Sequence, residues 1–189
     1  MIVQLCGMSG AGKTTLARNV KNRLQQHGIK TEVIDGDEYR EVLCKDLGFS
    51  KEDRCENIRR LGFVASRLSA NGIVTIISAI NPFEEMRREM TEKYHHVKTV
   101  YVDCEVAELI NRDTKGLYRK ALLPEGHPDR IANLTGINDR FDVPAAPDLY
   151  INTAVQQVEE SITGLFRFIT SQLTDSIYFF QKQHAQRLS

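Results

Sequence analysis

The stretch Gly7-Met8-Ser9-Gly10-Ala11-Gly12-Lys13-Thr14-Thr15 constrains this chain more than any other. From Gly7 to Thr14 it satisfies G-x-x-x-x-G-K-[ST] at every specified position. The glycines let the backbone wrap closely, so that its N–H groups converge on phosphate oxygens. The pattern needs a strand before it and a helix after it, and both are legible. Residues 2–6 are a short apolar run. Residues 13–27 carry Leu16, Val20 and Leu24 at helical spacing until Gly28 stops them. The start of that helix adds positive potential. Lys13 is expected to reach the β- and γ-phosphates of ATP, and Thr14 to hold Mg2+. With Gly7, Ser9, Gly10, Ala11, Gly12 and Thr15 they form the expected ATP-binding P-loop.

Beyond the loop, strand and helix patterns alternate. Strands are expected at 31–34, 73–79, 99–103 and 149–152. Helices are expected from the Ser50 cap to about 70, then at 83–94, 106–111 and 155–173. Residues 73–79 are an almost unbroken β-branched run, as in a strand buried on both faces. Such alternation predicts an α/β fold, a parallel five-stranded sheet with helices on both faces, of the P-loop NTPase type. Residues 112–147 have no clear period and are too long for an ordinary connection, which suggests an active-site lid. The chain of 189 residues reads as one domain over 1–175 and a tail over 176–189. The tail region is rich in aromatics, Phe166, Phe168, Tyr178, Phe179 and Phe180, read as packing surface.

Composition narrows the function classes. Lys plus Arg and Asp plus Glu number 25 each, so the basic excess usual for nucleic-acid binding is missing. No run is apolar enough to span a membrane, and residues 1–7 do not resemble a secretory signal. Cys6, Cys44, Cys55 and Cys104 have no metal-binding spacing and read as reduced structural thiols, consistent with a cytoplasmic setting.

An ATP-binding loop is shared by small-molecule kinases and by hydrolytic or regulatory NTPases. The latter generally carry an apolar strand ending in Asp, whereas here that strand reads IVTIISAINP, with no carboxylate at its end. The second strand instead ends in VIDGDEYR. Asp35 and Asp37 stand at its carboxyl end, where open α/β sheets place ligands, and could steer Mg2+ or accept a hydroxyl proton. Arg40 lies one helical turn on. Arg54 and Asn57 are three apart on one helix face, and with Arg40 could form an anion fork.

IDGDEYR, DLGFSKEDRCENIRR, INPF, RDTKGLYRKAL and NLTGINDRFDVPAAPDLYINT together resemble the adenylylsulfate kinase family, in order and at its spacing, over residues 2–153. That family transfers the ATP γ-phosphate to the 3′-hydroxyl of adenylylsulfate. The resemblance implies that Asp35 orients the hydroxyl and helps with its proton or the metal. It places Asp37 and Arg40 on the acceptor nucleotide, Arg54 and Asn57 on its phosphosulfate, and Phe49 on its adenine. Ile80 would touch the acceptor through its backbone, and Arg112 would lie against the ATP adenine. Lys115 would reach the phosphates as the lid closes. Lys13, Asp35 and Lys115 are thus the expected catalytic residues, and Thr14 and Asp35 the metal ligands. The implied partners are ATP and adenylylsulfate, and the resemblance allows a homodimer.

Two positions depart from the family pattern. Asn81 stands where the family commonly has a phosphorylatable serine, so no phosphoserine can form there. Leu134 replaces a phenylalanine expected to sandwich the adenine with Phe49, which forgoes one stacking contact of roughly 1–3 kcal/mol. These departures leave open a kinase of a related nucleotide or small anion, or a nucleotide-binding domain without turnover.

Overall fold

In the computed structural model, which describes the backbone of residues 1–187 and the side chains of residues 1–174, five parallel strands form one sheet. The strands are β1 (Ile2–Cys6), β2 (Thr31–Asp35), β3 (Val74–Ser78), β4 (Val97–Asp103) and β5 (Leu149–Asn152), in the order β2-β3-β1-β4-β5. The chain therefore reverses its direction of winding at β1, with β3 on one side and β4 on the other. Side chains alternate across the pleat. Val3, Leu5 and Ile76 pack with Leu16, Val20 and Leu24 of α1 (Lys13–Gln26) and with Leu165 and Ile169 of α7 (Val158–Arg187). Ile2, Ile34 and Ile77 pack against Ile58, Leu61 and Ala65 of α3 (Lys51–Ala70) and Met86 and Met90 of α4 (Glu84–Lys93). Helices on both faces explain the continuous apolar reading of the central strands.

The elements expected from periodicity are present, with ends shifted by a few residues. Two short helices had no periodic signal: α2 (Gly36–Val42), directly after β2, and α6 (Leu117–Ala121), inside the lid segment. A seven-residue helix, α5 (Val106–Arg112), leads into that segment. The last helix, expected to stop near 173, runs to Arg187, because no Gly or Pro interrupts the sequence after Leu173. Phe166 and Phe168 are partly buried against the core, while the side chains of Tyr178, Phe179 and Phe180 lie outside the described residues. All four cysteines are buried free thiols. Among the described residues, no helix is long and apolar enough to cross a membrane.

The strand ends are flush. Asp35 is in register with Ser78, and Ser78 with Leu5, so three chain ends open at one level beside the reversal point. Closeness there demands missing side chains. A Cβ on Gly7 would stand 2.1 Å from the Val102 carbonyl oxygen, and Gly7 has φ +152°. One on Gly36 would lie 3.1 Å from Ala79 Cβ. Gly28, which closes α1 at φ +75°, has nothing within 4 Å. Gly28→Ala should therefore cost only the left-handed backbone penalty, about 1–2 kcal/mol. Gly7→Ala should add a backbone collision and cost about 3 kcal/mol or more. Denaturant unfolding of the two variants checks this, and equal losses would contradict the close approach at Gly7.

Candidate active site

Gly12 adopts a left-handed conformation (φ 92°, ψ 6°) and caps α1, while Gly10 also has positive φ. The loop thus turns its amides inward before the helix begins. Lys13 is buried and lies back across the loop. Its ammonium donates to the carbonyls of Gly7 at 2.8 Å and Met8 at 2.7 Å. Burial, and next the cation of Lys115, lower its pKa to about 8; the carboxylates of Asp37 and Asp35 only partly offset this. A triphosphate arriving here meets a cation that has already lost its hydration shell.

Asp35 serves two neighbours. One oxygen accepts from the N–H groups of Asp37 (3.0 Å) and Glu38 (3.4 Å), which caps α2. The other accepts from the Thr14 hydroxyl at 2.7 Å. The Ser78 hydroxyl stands 3.2 Å from that of Thr14. Asp35 is thus at once a capping aspartate and a carboxylate facing the nucleotide loop. Ser78 went unnoticed in the sequence because a serine at the end of an apolar strand carries no pattern of its own.

A cavity of about 650 Å³ opens between the loop, the ends of β2 and β3, and the lid segment. Ser9, Gly10, Gly12, Lys13, Thr14 and Thr15 line its loop side. Asp35, Asp37, Phe49, Arg54, Ile80, Lys115 and Leu134 line the rest, joined by Ser78, Thr114, Asn133 and Thr135, which sequence reasoning did not single out. Gly7 and Ala11 do not line the cavity. The Gly7 N–H donates to the Ile80 carbonyl at 3.1 Å, so that carbonyl ties the cavity floor to the loop rather than facing a ligand.

The structure does not assemble the expected fork of Arg40, Arg54 and Asn57 at the cavity wall. Arg40 donates to the Gly48 carbonyl at 2.9 Å and rests 4.8 Å from the Phe49 ring centre. Asn57 is buried in α3, and its Oδ1 has no hydrogen-bond partner among the described residues. Helical spacing put Asn57 and Arg54 on one face, but that face turns inward and only Arg54 reaches the cavity. Arg54 donates to the carbonyls of Phe49 (3.0 Å) and Asn133 (2.7 Å) and pairs with Asp139 at 3.2 Å. Its guanidinium also lies 5.5 Å from the Phe49 ring centre, which leaves that half-exposed ring flanked by two cations. Leu134 is buried and lines the cavity.

The segment after α5 is held to the body of the protein by contacts of unequal strength. Lys115 pairs with Asp37 across the mouth, but both side chains are largely exposed, so the pair contributes little. Tyr118 is fully buried, and its hydroxyl donates to the Ser9 carbonyl at 2.7 Å. Arg112 is not in the cavity wall. It donates to the Thr153 carbonyl at 2.7 Å, and the Thr153 hydroxyl donates to the Ala11 carbonyl at 3.0 Å, so Arg112 stands outside the turn of the loop.

Residues 1–152 match the family model described as adenylylsulphate kinase. This protein belongs to the adenylylsulfate kinase family. An adenylyl-sulfate kinase of Chloroflexus aurantiacus is 44% identical over 165 residues, covering 87% of this chain and 86% of that one. One from a Picosynechococcus strain is 41% identical over 168 residues, covering 89% and 92%. The Mycobacterium tuberculosis APS kinase solved in complex with AMPPNP and APS superimposes with TM-score 0.82 at 34% identity, covering 89% of this chain and 96% of that one.

Within this family site, the oxygens of Thr14, Asp35 and Ser78 are hard donors at one level, the type a small divalent cation takes. Among the described residues no cluster of three His, Cys, Asp or Glu could cage a metal. One or two of these oxygens could hold a Mg2+ ion whose other positions phosphate and water would fill.

The depressed pKa of Lys13 has a testable consequence. Triphosphate binding favours the protonated ammonium, so above about pH 8 a proton must be taken up on binding. The Kd for ATP should weaken by about tenfold between roughly pH 7 and pH 9. Calorimetric titration should show this in the native chain and a flat, weak profile in Lys13→Met. A native profile with no pH dependence would contradict a buried, titrating Lys13.

Proposed function

We infer that this protein is an adenylylsulfate kinase, moving the γ-phosphoryl group of ATP to the 3′-hydroxyl of adenylylsulfate with Mg2+ as cofactor. The observation that carries the reading is the single cavity: a phosphate loop forms one side, and Phe49, Arg54 and Leu134 form the other, under one lid. Its volume of about 650 Å³ suits two ligands meeting end to end. Family membership narrows the acceptor, since the named relatives are adenylyl-sulfate kinases.

In this reading the acceptor's adenine rests on Phe49, and its anionic groups face Arg54. Asp35 aligns the hydroxyl through the oxygen that Thr14 also touches. Phosphoryl transfer demands alignment and cancellation of spreading negative charge more than covalent help. The bond from the γ-phosphorus to the bridging oxygen of ADP breaks as the bond to the ribose oxygen forms. The hydroxyl proton leaves toward Asp35. Lys13, with Lys115 from the lid, supplies fixed positive charge where the phosphates lie. Mg2+ at Thr14 and Asp35, when bound, would neutralise phosphate charge. Asn81 offers no hydroxyl for a phosphoenzyme, so transfer is direct. Closure through Tyr118 and Ser9 keeps water from the γ-phosphate.

Incubation with Mg-ATP in the presence and absence of adenylylsulfate tests this. ADP that forms only with the acceptor, together with 3′-phosphoadenylylsulfate in the product, is expected. Equal ADP without acceptor would mean an NTPase, and no ADP a binding module. Asp35→Asn keeps an N-cap acceptor, so the variant should fold and bind both nucleotides within about threefold of the native Kd. Its kcat should fall by about a hundredfold or more. A defect confined to ATP affinity would remove Asp35 from the acceptor side.

A further inference from the structure

Arg87 is the largest of the fully buried side chains among the described residues. It lies on α4, outside the cavity wall. Its guanidinium reaches two chain segments, one that continues from the cavity floor and one that follows Asp139, the partner of Arg54. One N–H donates to the Asn81 carbonyl at 2.7 Å, next to cavity-lining Ile80. Another donates to the Asp142 carbonyl at 2.5 Å, where the lid returns to the body of the protein. Glu84 takes two more at 3.0 and 2.7 Å from the more exposed side.

The surroundings extend this bridge in both directions. Asn81 holds φ +42°, and its amide donates to Gln4 Oε1 at 3.0 Å. Gln4 in turn donates to the Arg87 carbonyl at 3.1 Å and to Thr99 at 2.8 Å. On the lid side, Asp142 donates its N–H to the Pro82 carbonyl at 2.8 Å and accepts from the Glu84 N–H at 3.1 Å. The Phe141 ring centre lies 5.9 Å from the guanidinium. Burying a guanidinium is costly, and an apolar side chain would fill the same space more cheaply if filling were all that was required. A rigid planar fork of donors is what can hold two carbonyls from separate segments at a fixed spacing. Lysine carries charge without the fork.

We propose that Arg87 is a positioning residue for the acceptor half of the reaction: it sets the lid's return limb against the Ile80–Asn81 floor. The proposal rests on the kinase reading above. The limb that Arg87 holds starts three residues after Asp139, the ion-pair partner of Arg54, whereas the nucleotide loop is tied to the floor at Gly7 and has further supports in Tyr118 on Ser9 and Thr153 on Ala11, so the acceptor should respond more than ATP.

Steady-state kinetics of Arg87→Lys and Glu84→Gln, with each substrate varied in turn, test this. Arg87→Lys should raise the KM for adenylylsulfate by about fivefold or more while the KM for ATP stays within about twofold. Glu84→Gln, a change at an exposed side chain, should shift the acceptor KM in the same direction by about twofold. An unchanged acceptor KM, or equal shifts for both substrates, overturns the proposal. If Arg87→Lys does not fold, Glu84→Gln decides by the same criterion. Trypsin cleavage after the exposed Arg140 supplies a readout that needs no turnover, and it should be faster in Arg87→Lys if the limb is released. A native enzyme without acceptor-dependent turnover would sink the kinase reading. Unchanged Arg140 cleavage in that case would sink the role of Arg87 as well.

Discussion

The buried ammonium of Lys13, held by the carbonyls of its own loop, is the interaction on which the site depends. It closes the loop around a positive centre before any ligand arrives, and burial strips that centre of water. The cost appears as a lowered pKa, and the gain as a cation already desolvated and held within the loop. Its position follows from the left-handed cap at Gly12, and the loop is anchored where Gly7 passes the Val102 carbonyl too closely for any Cβ. A loop of this shape therefore requires β1 and β4 to be neighbours, which the reversal of strand order provides.

Around this centre, the ends of the strands distribute the chemistry. Asp35 and Ser78 are register partners on adjacent strands and meet Thr14 from the loop's helix. Capping α2 with one oxygen of Asp35 fixes the carboxylate's direction, so the other oxygen is presented to the nucleotide side without a mobile side chain. The rigid part of the site thus sits on secondary structure. The far wall of the cavity, by contrast, is completed by Arg54 and Leu134 and by the segment after α5, whose exposed Lys115–Asp37 pair is weak. The lid's firmer attachments are buried: Tyr118 at Ser9 and, at its far end, Arg87 at Asp142.

Much of the fold was legible because its signals are local and periodic. A glycine-lysine-threonine loop between an apolar run and Leu16-Val20-Leu24 allows few architectures, and the β-branched run over 73–79 marks a central strand. The two short helices were not legible, since α2 follows β2 without a break and α6 is only five residues long. In the site, Lys13, Thr14, Asp35 and Arg54 emerged from type and spacing and Lys115 from the family resemblance, and all five line one cavity. Asn57 and Arg40 did not join them. Three-residue spacing says which helix face a side chain shares, not whether that face meets a cavity or a core.

What this sequence determined by itself was the phosphate loop, the alternating parallel architecture and the family, because each is written in neighbouring residues and in backbone freedoms that glycine alone permits. What only the tertiary structure decided was the pairing of Asp35 with Thr14 and Ser78, the inward turn of Asn57, the use of Arg40 against Phe49, and the bridge made by Arg87. Those depend on strand order and on how a long irregular segment returns to the sheet, and residues dozens of positions apart carry no local pattern that announces their contact.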